Sequence, residues 1–413
     1  MVDAMEDVYI VDAARSATGK FLGSLSELSS PRIGAAVVKG LMARSSIKPE
    51  MVEELITGNV LSAGLGQNPA KQVVVYSGLP NETVTSNVNQ VCASGLRAIA
   101  IGADSIKCGD SGIVIAGGIE SMSNARHTVA GVRKFKKLGD ATLDELVRYL
   151  AGSGADLSSV KLVDELVFNG LWDCYSNLHM GTLAERIGKK YTITREEQDA
   201  FAIDSHRKAA AAIDAGKFKK EIIPINVGAA GEFATDEGVR RDTSIEKLAS
   251  LKPAFAPDGT VTAGNASQIS DGAAFVILAS ASKVKELDLK PIAKIESYAS
   301  SGIDPAWYGL APVSGIQKTL KKAGKTLDDV DLIEINEAFC VQALGVVRAL
   351  NIDVAKLNVN GGATALGHPI GASGARILTT LIYALHDRRK NLGIASLCHG
   401  GGGAASMLIS SVV

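Results

Sequence analysis

Cys92 stands in the stretch Val88-Asn89-Gln90-Val91-Cys92-Ala93-Ser94-Gly95-Leu96, between a strand-like run and an amphipathic helix. Unpaired N–H groups and the dipole at a helix start stabilise an anion, so a thiol there is expected to lose its proton more easily. A second cysteine, Cys398, follows another apolar run and leads into His399-Gly400-Gly401-Gly402-Gly403. Between the two comes Gly367-His368-Pro369-Ile370-Gly371. Glycine beside such groups marks tight turns or a close approach of backbone to a ligand. Two thiols and a base in that setting are the parts needed to hold an acyl group as a thioester.

The elements that must position them repeat. Ser86-Asn87-Val88-Asn89-Gln90 is echoed by Leu357-Asn358-Val359-Asn360-Gly361, and each leads to a Ser-Gly helix start, at Ser94 and Ser373. Helices are expected over Leu96–Lys107 and Ala375–His386, each followed by a strand, near Ile113 and near Gly393. Glu53–Asn59 likewise parallels Val330–Asn336, and Val8–Ala14 parallels Ile292–Ala299. Strand, strand, helix and strand in the same order twice imply an α/β fold of two similar halves packed together. The second copy carries about eight extra residues over Ala363–Ile370, and His368 lies inside them. The expected division is a first half from 1–118 and 251–290, an inserted loop domain from 119–250, and a second half from 291–413.

The inserted stretch holds the basic runs Arg133-Lys134-Phe135-Lys136-Lys137 and Lys217-Phe218-Lys219-Lys220, most simply solvated faces. Thr194-Arg195-Glu196-Glu197 reads as a capping box, and Leu143–Leu150 as an amphipathic helix in a loop of about 138–160.

With 413 residues, 46% hydrophobic and 21% charged, the chain has the composition of a globular enzyme. A formal charge of −1 and the absence of base-reading motifs argue against nucleic acid. Five scattered cysteines with no CxxC pair argue against a disulfide framework or structural zinc and favour a reducing compartment. No apolar run is long enough to span a bilayer, and no signal, transit or peroxisomal segment is read. The expected location is the cytoplasm; a processed mitochondrial protein would look the same. Gly400–Gly403 does not make a dinucleotide fingerprint, since no helix and no acidic ribose ligand follow it.

Taken in order, Asn89–Gly95, Gly117-Gly118-Ile119-Glu120-Ser121-Met122-Ser123, His179-Met180-Gly181, Thr262–Ser267, Asp271–Ala274, Asn336-Glu337-Ala338-Phe339, Asn360–Arg376 and Cys398–Gly402 resemble the thiolases over nearly the whole chain. The resemblance implies acyl exchange between coenzyme A thioesters, with acetyl-CoA, acetoacetyl-CoA and CoA as substrates and no resident cofactor or metal. It implies Cys92 as nucleophile, His368 as its base and Cys398 as the acid/base at the carbon beside the thioester carbonyl. One oxyanion hole would use the His368 ring and a water held by Asn336; the other would use the N–H groups of Cys92 and Gly400. Ser267, His179, Met180 and Phe339 fall near the pantetheine, and Arg240 and Lys247 near the adenine and phosphates. A homodimer or homotetramer is expected.

Plainer readings stand beside these. Cys108 and Cys174 read as small buried hydrophobes and Cys340 as wall, while His127, His206 and His386 read as surface or local hydrogen-bonding groups. Asn336 could merely cap the next helix. Potassium-activated thiolases have tyrosine where this chain has His206, so no potassium site is expected, and Tyr308-Gly309 replaces the Phe-Pro pair associated with methyl-branched substrates. His399 departs from the small or amide residue usual there, and is expected to raise Cys398 reactivity. A short-chain acetyltransferase is expected; the rivals are a degradative 3-ketoacyl-CoA thiolase, an inactive acyl-CoA-binding scaffold and, weakest, a dehydrogenase.

Overall fold

The computed structural model describes residues 6–130, 132, 139–152 and 160–412; the expected basic run at 133–137 lies outside them. The first half runs β1 (Val8–Arg15), α1 (Ser30–Arg44), β2 (Glu54–Gly58), α2 (Pro69–Ser77), β3 (Val84–Val88), α3 (Ser94–Cys108) and β4 (Ile113–Ser121). An excursion follows, containing α4 (Leu143–Gly152), α5 (Met180–Tyr191) and α6 (Arg195–Asp214), and the chain rejoins the sheet as β5 (Ser270–Ser280). The second half runs β6 (Ala293–Gly302), α7 (Ala311–Lys322), β7 (Leu332–Ile335), α8 (Cys340–Leu350), α9 (Ser373–Arg388), β8 (Leu392–His399) and β9 (Gly403–Ser411).

The strands are ordered β7-β8-β9-β6-β1-β5-β4-β2-β3, which reads the same way from either end once the halves are matched. The halves join where β1 meets β6, through only two residue pairs, Tyr9↔Lys294 and Ile10↔Ala293. Every residue of β4 and β5 is buried, as expected of strands covered on both faces. Alternation along β4 sends Val114 and Ala116 into a core shared with α3 and α9, and Ile113 and Ile115 into a core under α1 and α2. α3 and α9 therefore form a middle layer against which both halves pack. Their starts touch: a Cβ on Gly374 would lie 2.5 Å from the Leu96 nitrogen, so the crossing is closed by backbone.

The duplication holds residue by residue, with two corrections to the sequence reading. Ile56 pairs with Ser86 in the first half, and the echo Ile333↔Leu357 is present only as an isolated bridge. The missing strand is replaced by the Asn358 side chain, whose Oδ1 accepts from Ile335 N at 2.9 Å while its Nδ2 donates to Ile335 O at 2.9 Å. The register Leu55↔Ile115 against Leu332↔Gly393 aligns Ile115 with Gly393, two residues from the alignment the sequence echo suggests. Counting along from there, Glu120 and Cys398 occupy matching places, as do Asn59 and Asn336.

The expected domain limits also move. β4 runs to Ser121, which pairs with Asp271, so the first half does not end at 118. Over 260–265 the chain bonds to the excursion, while Ile269 O accepts from Phe21 N of the first half. The Glu185 carboxylate accepts from Thr260 N and Val261 N, and Asn265 Nδ2 donates to Asp199. The Thr194 capping box and the helix at 143–152 are both present. No helix among the described residues is long and apolar enough to cross a membrane.

Candidate active site

Cys92 sits on a tight turn between β3 and α3. Val91 has φ +48°, a left-handed conformation that a β-branched residue rarely adopts. Side chains hold it there: Asn89 Oδ1 accepts from Val91 N at 3.0 Å, and Ser94 Oγ accepts from Gln90 N and donates to Val91 O. The half-buried thiol that this turn presents is not acidic. Burial pushes it up to about 12, against the pull of the N–H groups of Gly400 and of Cys92 itself, and the Glu120 carboxylate pushes it further. The helix-start argument is overturned because desolvation outweighs the local donors.

His368 lies in the eight-residue insertion of the second half. The preceding Gly367 has φ +96°, and a Cβ there would sit 2.3 Å from Ser270 Oγ, so the loop needs glycine at that point. The imidazole is buried, and Ser373 Oγ lies 2.5 Å from its Nδ1 while donating to Pro369 O at 2.9 Å. Since that hydroxyl spends its proton on the carbonyl, it accepts from Nδ1–H, which puts the lone pair on Nε2. Ser94 and Ser373, the matching residues at two helix starts, thus clamp the thiol turn and the imidazole. Burial, and then the Arg376 guanidinium, lowers the ring to about 3. Thiol and imidazole are both neutral at rest.

Cys398 is buried in a cluster with Met180, Tyr308 and Phe339. Burial, then the neighbouring Cys92, raises its thiol above the ordinary range. The Tyr308 phenol donates to Met180 O at 3.1 Å, and Met180 packs with Cys398 while lying, with Val91 of the Cys92 turn, around the open space at Gly400, so the Cys92 turn and Cys398 border one place. Asn336 is fully buried with Nδ2 3.4 Å from both ring nitrogens of His368, and its Oδ1 has no protein partner among the described residues. It caps no helix. A Cβ on Gly400 would meet no protein atom nearer than Val91 at 3.6 Å and Met180 at 3.9 Å, so the fold leaves that space open.

The remaining expected residues divide into a wall and a rim. His179 accepts from Gly181 N at 3.0 Å and stacks on Phe255, which meets Phe339 edge-on. Ser267 is half-buried, with its N–H on Ala338 O. Arg240 and Lys247 are exposed, and Lys247 pairs with Asp242 at 2.5 Å. His206 is buried and accepts from Arg240 N at 3.0 Å, so its local hydrogen-bonding role is present but not at the surface. Cys108 and Cys174 are exposed, contrary to the buried reading. His399 does not serve Cys398: alternation along β8 turns it away, and its Nδ1 bonds to Gly400 O at 2.7 Å.

Three residues that the sequence reading left without a role are structurally central. Glu120 accepts from Asn59 Nδ2, Val60 N, Leu61 N and Gly371 N, joining the Cys92 half to the His368 loop; burial pushes it up to about 7. Gln268 Nε2 donates to Gly238 O and Thr364 O, while the backbone carbonyl of Gln268 accepts from His368 N. Glu337 gathers Ser205, Asn358 and Thr364 N. Glu120 and Glu337 stand in motifs visible in the sequence and Gln268 stands in none, while the partners come from 21 to 251 residues away. No cluster of three or more His, Cys, Asp or Glu side chains placed to hold a metal ion occurs among the described residues.

The thiolase N-terminal domain model matches residues 8–282 and the thiolase C-terminal domain model residues 289–411. The chain belongs to the thiolase family. Relatives named acetyl-CoA acetyltransferase include those of Allochromatium vinosum, 48% identical over 98% of this chain and 99% of that one, and Pseudomonas aeruginosa, 48% over 98% and 100%. Among solved thiolase structures, the Bacillus anthracis acetyl-CoA acetyltransferase superposes with a TM-score of 0.91 at 38% identity, covering 99% of this chain and 100% of that one. The human mitochondrial 3-ketoacyl-CoA thiolase in complex with CoA also gives 0.91, at 39% identity over 99% and 98%.

The two buried histidines of this thiolase make stability depend on pH. His206, lowered to about 4 by burial and then by Arg240, and His368, lowered to about 3, stay neutral in the folded chain, whereas both ionise near 6.5 when unfolded. Their contribution is fully present above about 6.5 and is lost as pH falls below it, by roughly 1.4 kcal/mol per pH unit for each group. Urea unfolding is expected to show a lower midpoint at pH 5 than at pH 7, and a smaller difference in His206→Gln. Equal sensitivity of the two proteins contradicts the assignment.

Proposed function

We propose that this thiolase is an acetyl-CoA C-acetyltransferase, interconverting two acetyl-CoA with acetoacetyl-CoA and CoA. The observation that carries the reading is the open space at Gly400, bordered by Val91 of the Cys92 turn and by Met180, which packs with Cys398 of the opposite half, with His368 held by Ser373 in the tautomer whose lone pair is on Nε2.

In the thiolytic direction Cys92 gives its proton to His368 and its sulfur attacks the ketone carbon of acetoacetyl-CoA. The bond between C2 and C3 then breaks, and the departing carbanion takes the Cys398 proton to leave as acetyl-CoA. CoA passes its proton to the Cys398 thiolate and attacks the acetyl group on Cys92. The released Cys92 sulfur recovers its proton from His368, so all three groups return to their starting forms. Condensation is the same path reversed. The raised thiols suit this cycle, because both cysteines must begin it protonated. Negative oxygen at the attacked ketone is met by the N–H groups of Cys92 and Gly400, and the thioester enolate by His368 with a water on Asn336.

Ser267, His179, Met180 and Phe339 are assigned to pantetheine, and Arg240 and Lys247 to the nucleotide end. We place the enzyme in the cytoplasm as a homodimer or homotetramer that needs no metal, potassium or redox cofactor. Exposed Val84 on the sheet-edge strand β3 and exposed Leu143, Val147 and Phe168 support association with further copies. The equal superposition on a 3-ketoacyl-CoA thiolase keeps a broader chain-length activity as the second reading. Thiolysis rates on acetoacetyl-CoA and on a longer 3-ketoacyl-CoA decide between them. The relatives named acetyl-CoA acetyltransferase, at 48% identity over nearly the whole chain, favour the short substrate; a kcat/KM that rises with chain length overturns that choice.

A further inference from the structure

Glu120, one residue before the end of β4, is a buried acid that the proposed mechanism does not use. Each of its oxygens accepts two N–H groups. Oε1 takes Asn59 Nδ2 at 2.8 Å and Leu61 N at 3.2 Å; Oε2 takes Val60 N at 3.1 Å and Gly371 N at 3.0 Å. Three of these donors follow β2, and the fourth comes from the loop that carries His368. All four partners are donors, so the form that fits is the carboxylate. Burial pushes the group up to about 7, and the N–H groups of Leu61, Val60 and Gly371 pull it back.

Around Gly371 the loop is one hydrogen-bonded unit. Pro369 O accepts from Ala372 N, Ser373 N and Ser373 Oγ, each at 2.9 Å, and Ser373 Oγ meets His368 Nδ1 at 2.5 Å. Main-chain contact brings this unit close to β4: a Cβ on Gly118 would lie 2.1 Å from Gly371 O, and one on Gly371 2.6 Å from Ile119 O. Contact of that kind sets a distance but no direction, which a hydrogen bond to a fixed oxygen supplies. Ile370 packs with Val60 and Leu61, and Cys92 lies against that same cluster. The Glu120 bonds therefore run along the seam between the thiol turn and the imidazole loop.

We propose that Glu120 is a positioning residue for His368: by taking the Gly371 N–H on the oxygen that also takes the Val60 N–H, it fixes the imidazole loop against the half that carries Cys92. The proposal deepens the proposed function and rests on His368 being the base of Cys92. The duplication gives it a reason. Glu120 and Asn59 hold the places that Cys398 and Asn336 hold in the other half, and here the two are bonded to each other. The first half has thus turned its copy of that pair into a clamp on the loop that only the second half gained.

The test uses Glu120→Asp and Glu120→Gln. Asp keeps the charge but, one methylene shorter, no longer spans both sides of the seam. Gln keeps the length: its oxygen can take the Val60 and Gly371 N–H groups, and its NH2 can meet Asn59 Oδ1, which has no partner among the described residues. Acetyl transfer from acetyl-CoA to Cys92 is read by rapid quench, and kcat and KM by thiolysis of acetoacetyl-CoA. Asp is expected to lose about 100-fold in both rates with KM within about twofold, the scale on which a misplacement of about 1 Å acts. Gln should lose only about threefold, its neutral oxygen being the weaker acceptor. Parent-like rates in Asp overturn the proposal. So does a loss in Gln as deep as in Asp, since charge and not reach would then be what matters, and so does a KM that rises as far as kcat falls. Should Asp fail to fold, hydrogen exchange at the Gly371 amide decides: faster exchange in Gln than in the parent supports the proposal, and equal exchange overturns it. His368→Ala, made alongside, separates the two claims. Acetyl transfer at the parent rate in that variant sinks the proposed function, whereas exchange at Gly371 reads the clamp whatever His368 does.

Discussion

Cys92→Ser is expected to form no acetyl-enzyme when mixed with acetyl-CoA and to lose thiolysis by on the order of 10⁴-fold or more, the scale on which removal of a nucleophile acts. The change exchanges one atom, and the Val91 turn that presents it is held by Asn89 and Ser94, so the fold should be kept. The loss is chemical. Burial already raises the thiol to about 12, and a hydroxyl in the same place is harder still to ionise by an imidazole lowered to about 3. Binding of CoA should persist, since the assigned contacts lie elsewhere. Radioactive acetyl retained by the variant after denaturation contradicts the assignment of the nucleophile.

Cys398→Ala is expected to separate the two half-reactions. Acetyl transfer from acetyl-CoA to Cys92 should continue, because the thiol, the His368 base and the Gly400 donor remain. Exchange of acetyl-CoA methyl protons with deuterated solvent, and condensation to acetoacetyl-CoA, should fall by roughly 10²–10⁴-fold, the usual worth of a positioned acid/base. The cost to stability should be small: a thiol packed among Met180, Tyr308 and Phe339 is replaced by a smaller apolar side chain. A variant that exchanges methyl protons at the parent rate would place the carbon acid chemistry on another group, with His368 the first to examine.

Much of this site was legible because its chemistry needs particular residue types beside particular turns. The echo around Asn87 and Asn358, and the insertion carrying His368, expose the two halves before any coordinates. Tertiary packing decides what remained hidden. The acidity of Cys92 was misjudged because a helix start is visible in sequence, whereas the apolar enclosure that outweighs it is assembled from both halves. The match between Glu120 and Cys398 was missed because a two-residue slip leaves the pattern of a buried strand unchanged. The Ser373 clamp on His368 and the Gln268 bridge depend on individual long-range hydrogen bonds, for which no periodicity exists. The attachment of 260–265 to the excursion is hidden because its bonds to Glu185 and Asp199 carry no sequence mark. His399 was read as a neighbour of Cys398 in sequence, which in a strand places it on the opposite face.

The division of labour between the two thiols is tested most directly by acid-quenching Cys398→Ala after mixing with labelled acetyl-CoA, then mapping the label by peptide. The account predicts one acetyl group on the peptide containing Cys92, and no acetoacetyl-CoA in the supernatant beyond the residual rate. Label on another residue, or an unlabelled protein that still makes acetoacetyl-CoA at the parent rate, contradicts it.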